Sequence, residues 1–442
     1  MKKVLVLGAG LVCRPLVRYL LDQPDFSVTV ASRTVSKAEA LVAGHPKGMA
    51  LQLLANETAK LEKLVGEHDL AISLLPAPLH PVVAEMCVSH RKHMVTTSYV
   101  SPKMRTLDEA ARSAGIILLN EIGVDPGIDH MSAMRIIHDV QKRGGKVASF
   151  KSYCGGLPAP EANDNPWGYK FSWSPRGVCT AGKNAARYRE NGKLVDIPGP
   201  DLFTQHHPVS VEGIGELEGY PNRDSLIYVD VYGLDGIETM FRGTLRYPGW
   251  CACLKKVVDL GLLDETPVTY PHGTTFAQWI AGFIKAKSTD RLREQVARHL
   301  NLEVKSNVLD RFEWLGLFSN DPLTITGQQT TALDILAARL DAKMPYKKGE
   351  RDMLVLLHRF VARFPGRPDE RTSSTMIDFG QPEGDSSMAR TVSLPAAVAT
   401  KLILTGKIRD LGVHVPVKPE IYNPVLDELA TMNIRCVERT ER

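Results

Sequence analysis

Cysteine is scarce: seven residues in 442, odd in number and scattered. That excludes a disulfide framework and reads as reduced thiols in a cytoplasmic protein. An excess of charge of one sign is also missing. Lys plus Arg number 54 against 50 Asp plus Glu, a net charge of +4, and no basic run stands out. A nucleic-acid binder gathers its cations on one face, so nucleic acid is set aside as a partner, while an acidic small-molecule substrate stays open. No apolar stretch nears the ~20 residues needed to cross a bilayer. Met1-Lys2-Lys3 leads into only Val4–Leu7 before Gly8, so neither a membrane partner nor a secretory leader is expected. Hydrolase signatures of the Gly-x-Ser-x-Gly type are absent. Cys251-Ala252-Cys253 lacks the spacing of a zinc knuckle and has no matching pair, and His206-His207 would face opposite ways on a strand. No metal is expected.

What remains is an ordinary globular composition, 43% hydrophobic and 24% charged, over a length that suggests two to three domains. The first 125 residues alternate short apolar runs with helix-period segments. Strands are expected near 3–7, 26–31, 49–54, 69–75, 93–98 and 116–120, with helices near 11–21, 35–44, 57–65, 79–90 and 102–114. This is the pattern of a doubly wound, Rossmann-type α/β sheet. Ser36-Lys37-Ala38-Glu39 reads as a capping box, Ser101-Pro102 as a helix start and Gly115 as a helix stop. From residue 146 the pattern changes to strands and turns, with strands expected at 147–154, 226–232 and 237–247. Helices follow from 254 to 345, returning strands at 353–360 and 372–379, and a last helical part, about 388–442, expected to rejoin the first domain. An α+β substrate domain and a helical domain therefore complete the fold class.

Gly8-Ala9-Gly10-Leu11-Val12-Cys13 follows the first strand and opens a helix. In that setting Gly8 permits the tight turn, Gly10 lets backbone amides approach a pyrophosphate, and Cys13 takes the close-packing position. A plain tight turn is the alternative. An NAD site carries an acid at the end of the second strand; Ala31-Ser32-Arg33-Thr34 has none. Ser32 and Thr34 can donate to a 2′-phosphate and Arg33 can pair with it, so NADP(H) is the expected cofactor, against a merely solvated arginine. Ligands of open sheets lie outside the carboxyl ends of the strands. Those ends carry Ser73-Leu74-Leu75-Pro76, Thr96-Thr97-Ser98-Tyr99 and Asn120 to Gly127. Asp125, just before a helix, reads equally as a cap or turn residue and as a functional group. Arg223, Arg242 and Arg246 sit near turns and suit carboxylate recognition; each taken singly reads first as a surface ion pair.

Several strings together resemble one family, the glutamate-forming saccharopine dehydrogenases, also called saccharopine reductases. They are VLVLGAGLVCRP, VASRT, TTSYVSP, NEIGVDPGIDH, SYCGGLPAPE, DNPWGYKFSWSPRGV, YPNRDS, RGTLRYPG, WLGLFS, ALDILAARLDAKM and PAAVATKLILTGKI, in order along nearly the whole chain. The resemblance implies a homodimer with three parts: an NADP-binding Rossmann domain (1–125 plus about 388–442), an α+β substrate and dimerisation domain (126–250 plus about 346–387) and a helical domain (251–345). It implies reductive condensation of L-2-aminoadipate 6-semialdehyde with L-glutamate, using NADPH, to give saccharopine, and the reverse. By position, the implied cofactor contacts are Ala9, Gly10, Leu11, Val12, Ser32, Arg33, Thr34, Leu53, Leu75, Thr97, Ser98, Val124 and Asp125. The implied substrate contacts are Ser98, Tyr99, Asp125, Cys154, Phe171, Trp173, Arg223 and Thr244. Arg246 is added because a tricarboxylate needs more than one arginine. Tyr99, Asp125 and Cys154 are the ionisable groups expected to carry protons. This chain has Cys13 where the family often has Ala, Ser32 where it has Cys, and Leu54 where it has Asp. Two alternatives are a related enzyme such as a carboxynorspermidine dehydrogenase, whose polyamine would favour acidic pocket walls, and an inert NADP-binding regulator.

Overall fold

Val4-Leu5-Val6-Leu7 is wholly buried within the first strand, β1 (Lys2–Leu7), of the computed structural model, which describes residues 1–54 and 56–441. Burial on both faces is what a central parallel strand requires. Around it lie β2 (Phe26–Ser32), β3 (Gly48–Gln52), β4 (Leu70–Ser73), β5 (His93–Val95) and β6 (Ile117–Leu119). The order is β6-β5-β4-β1-β2-β3, all parallel, with a seventh strand, Gly412–His414, added beside β6. Helices α1 (Cys13–Leu21), α2 (Val35–Val42), α3 (Thr58–Glu67), α4 (His80–His90), α5 (Pro102–Arg105) and α6 (Asp108–Ala114) make the crossovers. The expected Rossmann sheet is present, and the C-terminal part completes it.

The chain divides into two compact units, Met1–Val147 with His358–Arg442, and Ala148–Leu357. In the first, α1 packs against the long helix Ser387–Leu404, and α7 (Ile128–Lys142) packs against Pro419–Thr431. The strand Glu370–Phe379 pairs antiparallel with Val437–Glu441. In the second unit, Thr239–Arg246 pairs in parallel with the strand ending at Pro158 and antiparallel with Gly215–Pro221, which in turn pairs with His207–Val211. A hairpin, Ala186–Glu190 with Lys193–Ile197, and the helices from Trp250 to Lys343 complete it.

Two local expectations fail for identifiable reasons. Residues 226–232 alternate like a strand, yet Ile227–Val231 is a short helix. The Asp224 carboxylate accepts the Leu226 amide at 2.8 Å and starts the turn, and Tyr228 and Tyr232, one turn apart, meet with ring centroids at 5.5 Å. The capping box at Ser36 does not form. The N-cap of α2 is Thr34, which makes no side-chain cap, and Ser36 lies inside the first turn. Ser101 does cap α5, accepting the Met104 amide, and Gly115 ends α6 in a left-handed conformation.

Candidate active site

A cleft of about 400 Å³ opens at the carboxyl ends of β1, β2 and β4. Gly8, Ala9, Gly10, Ser32, Arg33, Thr34, Leu53 and Leu75 line it. Gly8 has φ +112, and a Cβ there would lie 2.9 Å from the Leu74 carbonyl oxygen, so only glycine makes this turn. Gly10 differs: a Cβ would meet no protein atom within 4 Å. Its open side is room for a ligand to approach the backbone. Cys13 is buried, with its thiol 3.6 Å from the Gly8 carbonyl oxygen, and burial pushes its pKa up to about 11. It packs helix on strand and stays protonated. Leu11 and Val12 begin the α1 side of the turn and do not line the cleft; Leu11 is exposed.

The adenosine end of the cleft carries a residue that sequence reasoning passed over. Lys37 lines it beside Arg33. The string Ser36-Lys37-Ala38-Glu39 suggested a capping box, which gave Lys37 no functional role. The register of α2 instead puts it in the first turn behind an uncapped N-terminus, whose free amides favour an anion. Among the described residues neither cation has an ion-pair partner, and no Asp or Glu is among the lining residues. The fit to a nucleotide bearing a 2′-phosphate is therefore good, and the fit to one needing a carboxylate partner is poor.

Beyond the cleft, the ends of β5 and β6 carry Thr97, Ser98, Tyr99, Val124 and Asp125. None of these lines the cleft itself. The Tyr99 hydroxyl donates to Asp125 Oδ1 over 3.3 Å, and both residues are half-buried. A buried network stands beneath the pair. Glu121, in a left-handed conformation at φ +57, accepts the Val100 amide at 2.9 Å with one oxygen and meets His130 Nε2 at 2.8 Å with the other. His130 Nδ1 lies 3.7 Å from Asp129, which accepts the Gly127 amide at 2.6 Å. The two loops bearing Tyr99 and Asp125 are thus tied to one buried charged cluster. A second missed residue, His80, bonds Ser73 and Ser98, each at 2.8 Å. The sequence signal for it was only a histidine at a helix start.

In the second unit, Cys154 stands opposite Thr244 in the parallel pair, and Thr244 opposite Tyr220. Cys154 is buried and Thr244 half-buried. Arg246 is 6% exposed and touches no carboxylate among the described residues. Its guanidinium lies 4.9 Å from the Tyr169 ring centroid and 5.6 Å from that of Trp250, one nitrogen donates to the Leu245 carbonyl, and Nε has no partner. Phe171 packs edge-on to Tyr169. Trp173 lies over Gly177, where a Cβ would be 2.7 Å from its ring. Arg223 is exposed in a left-handed turn. Arg242 lies over the Tyr228 ring at 4.5 Å. Among the described residues no cluster of three metal-ligating side chains exists, and no helix is long and apolar enough to cross a membrane.

A phosphate on the ribose is what the acid-free end of β2 is built to neutralise, and this sets the first unit among NADP-binding Rossmann domains. Comparison with known proteins narrows the assignment. Residues 4–119 match the saccharopine dehydrogenase NADP binding domain and residues 123–434 the saccharopine dehydrogenase C-terminal domain. The saccharopine dehydrogenase [NADP(+), L-glutamate-forming] of Schizosaccharomyces pombe is 45% identical over 99% of both chains. The mitochondrial alpha-aminoadipic semialdehyde synthase of Bos taurus is 38% identical over 98% of this chain and 47% of its own length. The structure of apo saccharopine dehydrogenase (L-Glu forming) from Saccharomyces cerevisiae superposes with a TM-score of 0.90 at 40% identity over the whole of both chains. The chain belongs to the saccharopine dehydrogenase family.

Proposed function

We propose that this chain is an NADP-dependent oxidoreductase acting on a CH–NH bond, which condenses L-2-aminoadipate 6-semialdehyde with L-glutamate to give saccharopine and catalyses the reverse oxidation. The full-length match to relatives of that printed activity carries the reading. NADPH, when bound, supplies the hydride; the chain supplies position and proton traffic. Arg33 and Lys37 hold the 2′-phosphate end, and the backbone around Gly10 receives the pyrophosphate. Thr97, Ser98, Val124 and Asp125 are proposed at the nicotinamide end.

For the substrate, the proposed groups of the first unit are Ser98, Tyr99 and Asp125, and those of the second are Cys154, Phe171, Trp173, Arg223, Thr244 and Arg246. Saccharopine carries three carboxylates, and a guanidinium fork can donate two parallel bonds to one of them. Tyr99 and Asp125 share a hydrogen bond, so a proton taken up by Asp125 can be passed along the pair while water leaves and an imine forms. The Glu121–His130–Asp129 cluster keeps both loops from shifting as that charge changes. A homodimer in the cytoplasm completes the proposal. The test follows nicotinamide absorbance with saccharopine and NADP, and with glutamate or other amines offered against the semialdehyde. Turnover restricted to the glutamate and saccharopine pair is expected; preference for a polyamine would overturn the substrate, and no turnover with any pair would overturn the activity.

A further inference from the structure

Ser73 is at the end of β4 and wholly buried, and its hydroxyl has one partner, His80 Nδ1, at 2.8 Å. A buried hydroxyl proton without an acceptor costs roughly 1–3 kcal/mol, and His80 Nδ1 is the acceptor that the described residues offer this one. Ser73 must therefore donate, and Nδ1 must be the bare nitrogen that accepts. Burial pulls the pKa of His80 down to about 4, so at neutral pH the ring carries a single proton. That proton is left for Nε2, which lies 2.8 Å from Ser98 Oγ. Ser98 then accepts from His80, and its own hydroxyl proton has no partner among the described residues. Ser98 is half-buried at the carboxyl edge of β5, where its backbone is pinned by the Glu121 amide on its carbonyl oxygen.

We propose that His80 is a positioning residue: by filling one lone pair of Ser98 Oγ as the Nε2–H tautomer, it makes the Ser98 hydroxyl an obligate donor to an acceptor oxygen of the bound ligand. The chain of bonds runs one way, Ser73 to His80 to Ser98 to ligand, and the buried end sets its direction. Without it a serine hydroxyl donates or accepts as its neighbours dictate. The ligand oxygen has two possible sources, the carboxamide of the nicotinamide and a carboxylate of the substrate. This deepens the proposed function and rests on it for the ligand, but the tautomer does not depend on it.

The test has two parts. First, nitrogen NMR of the ¹⁵N-histidine-labelled wild-type protein, with His80→Gln as the blank that assigns the signal, reports which ring nitrogen bears the proton. A bare Nδ1 and a protonated Nε2 are expected; the opposite tautomer, or a doubly protonated ring at neutral pH, overturns the proposal whatever the enzyme's activity. Second, NADPH affinity by fluorescence titration and KM for saccharopine are measured in a cycle of His80→Leu, Ser98→Ala and the double variant. Each single change is expected to weaken one of the two roughly tenfold, the loss of one ligand hydrogen bond, with little further loss in the double variant. A loss in NADPH affinity identifies the carboxamide as acceptor; a loss in KM alone identifies the substrate carboxylate. His80→Gln, whose amide oxygen and NH₂ can take both roles, should recover most of the loss. A full His80→Leu penalty persisting in the Ser98→Ala background, or no penalty in either measurement, overturns the proposal.

Discussion

The two units carry their functional charge differently. In the first, Arg33 and Lys37 stand exposed at the rim of an open cleft with no ion-pair partner among the described residues. In the second, Arg246 is buried with an unpartnered Nε and only ring faces and one carbonyl about it. An exposed cation keeps its water and costs the fold nothing, but its attraction for a ligand is screened. A buried cation has lost its water, and two aromatic faces offset only part of that loss. Such a group works against stability, and the carboxylate binding proposed for Arg246 would account for its place. The same distinction separates the half-buried Tyr99–Asp125 pair from the sealed Glu121–His130–Asp129 cluster below it. The upper pair, half-buried, is the one proposed to exchange protons with a substrate, while the lower one is buried and bonded to the backbone of both loops.

The comparison is broken most readily where the expected loss is largest. Asp125→Ala should lower kcat by about 10²-fold, at the low end of what proton transfer by a positioned group contributes. The loss should be partial, since the substrate amine also carries protons. Wild-type kcat across the pH range would show that the Tyr99–Asp125 pair takes no part. Next is Arg246→Met. Losing a charge-assisted bond to carboxylate should raise KM for saccharopine on the order of 30- to 100-fold, with NADPH affinity unchanged. The thermal midpoint should hold steady or rise, because the buried charge is gone and an apolar chain takes its volume. A midpoint several degrees lower would mean Arg246 supports the fold, and the contrast between the units would fall. For the rim, Arg33→Asp should cut the preference for NADPH over NADH by roughly 30-fold, about 2 kcal/mol. The effect should shrink as salt rises, as expected of an exposed charge; a ratio indifferent to salt would argue that Arg33 is shielded.

Which of these groups could be read from the chain follows from how local they are. Gly8, Gly10, Ser32, Arg33 and Thr34 lie within a single βαβ unit, so neighbours in sequence are neighbours in space, and the strand and helix periods locate them. Lys37 was hidden by a shift of the helix start: Thr34, not Ser36, is the N-cap of α2. The Ile227–Val231 helix was hidden by an alternation that the turn closed by the Asp224 carboxylate on the Leu226 amide overrides. Glu121, His130 and His80 are legible as residue types, but their roles depend on partners in other elements: Val100 for Glu121, and Ser73 and Ser98 for His80. The burial of Arg246 depends on Tyr169 and Trp250. No local pattern encodes which arginine beside a turn will be covered by aromatic rings.

The smallest effect tests whether burial, rather than the unit a residue belongs to, sets the outcome. Asp164 belongs to the second unit but is 40% exposed, and it accepts hydrogen bonds from Lys170 and Lys347. Those bonds hold its carboxyl down at about 2, from an ordinary 3.8. A depressed carboxylate stabilises the fold above its unfolded pKa, and that stability is lost as pH falls through the folded value. The window is therefore from about 4 down to about 2. Solvent screening limits the contribution of so exposed a pair to less than about 1 kcal/mol near neutral pH. Asp164→Asn should accordingly lower the thermal midpoint only slightly at about pH 6, and the gap from wild type should narrow by about pH 3. A gap that widened on acidification would reverse the sign of the linkage. A large loss near neutrality would show that exposure does not weaken charge in this unit, removing the basis for treating Arg246 as special because it is buried.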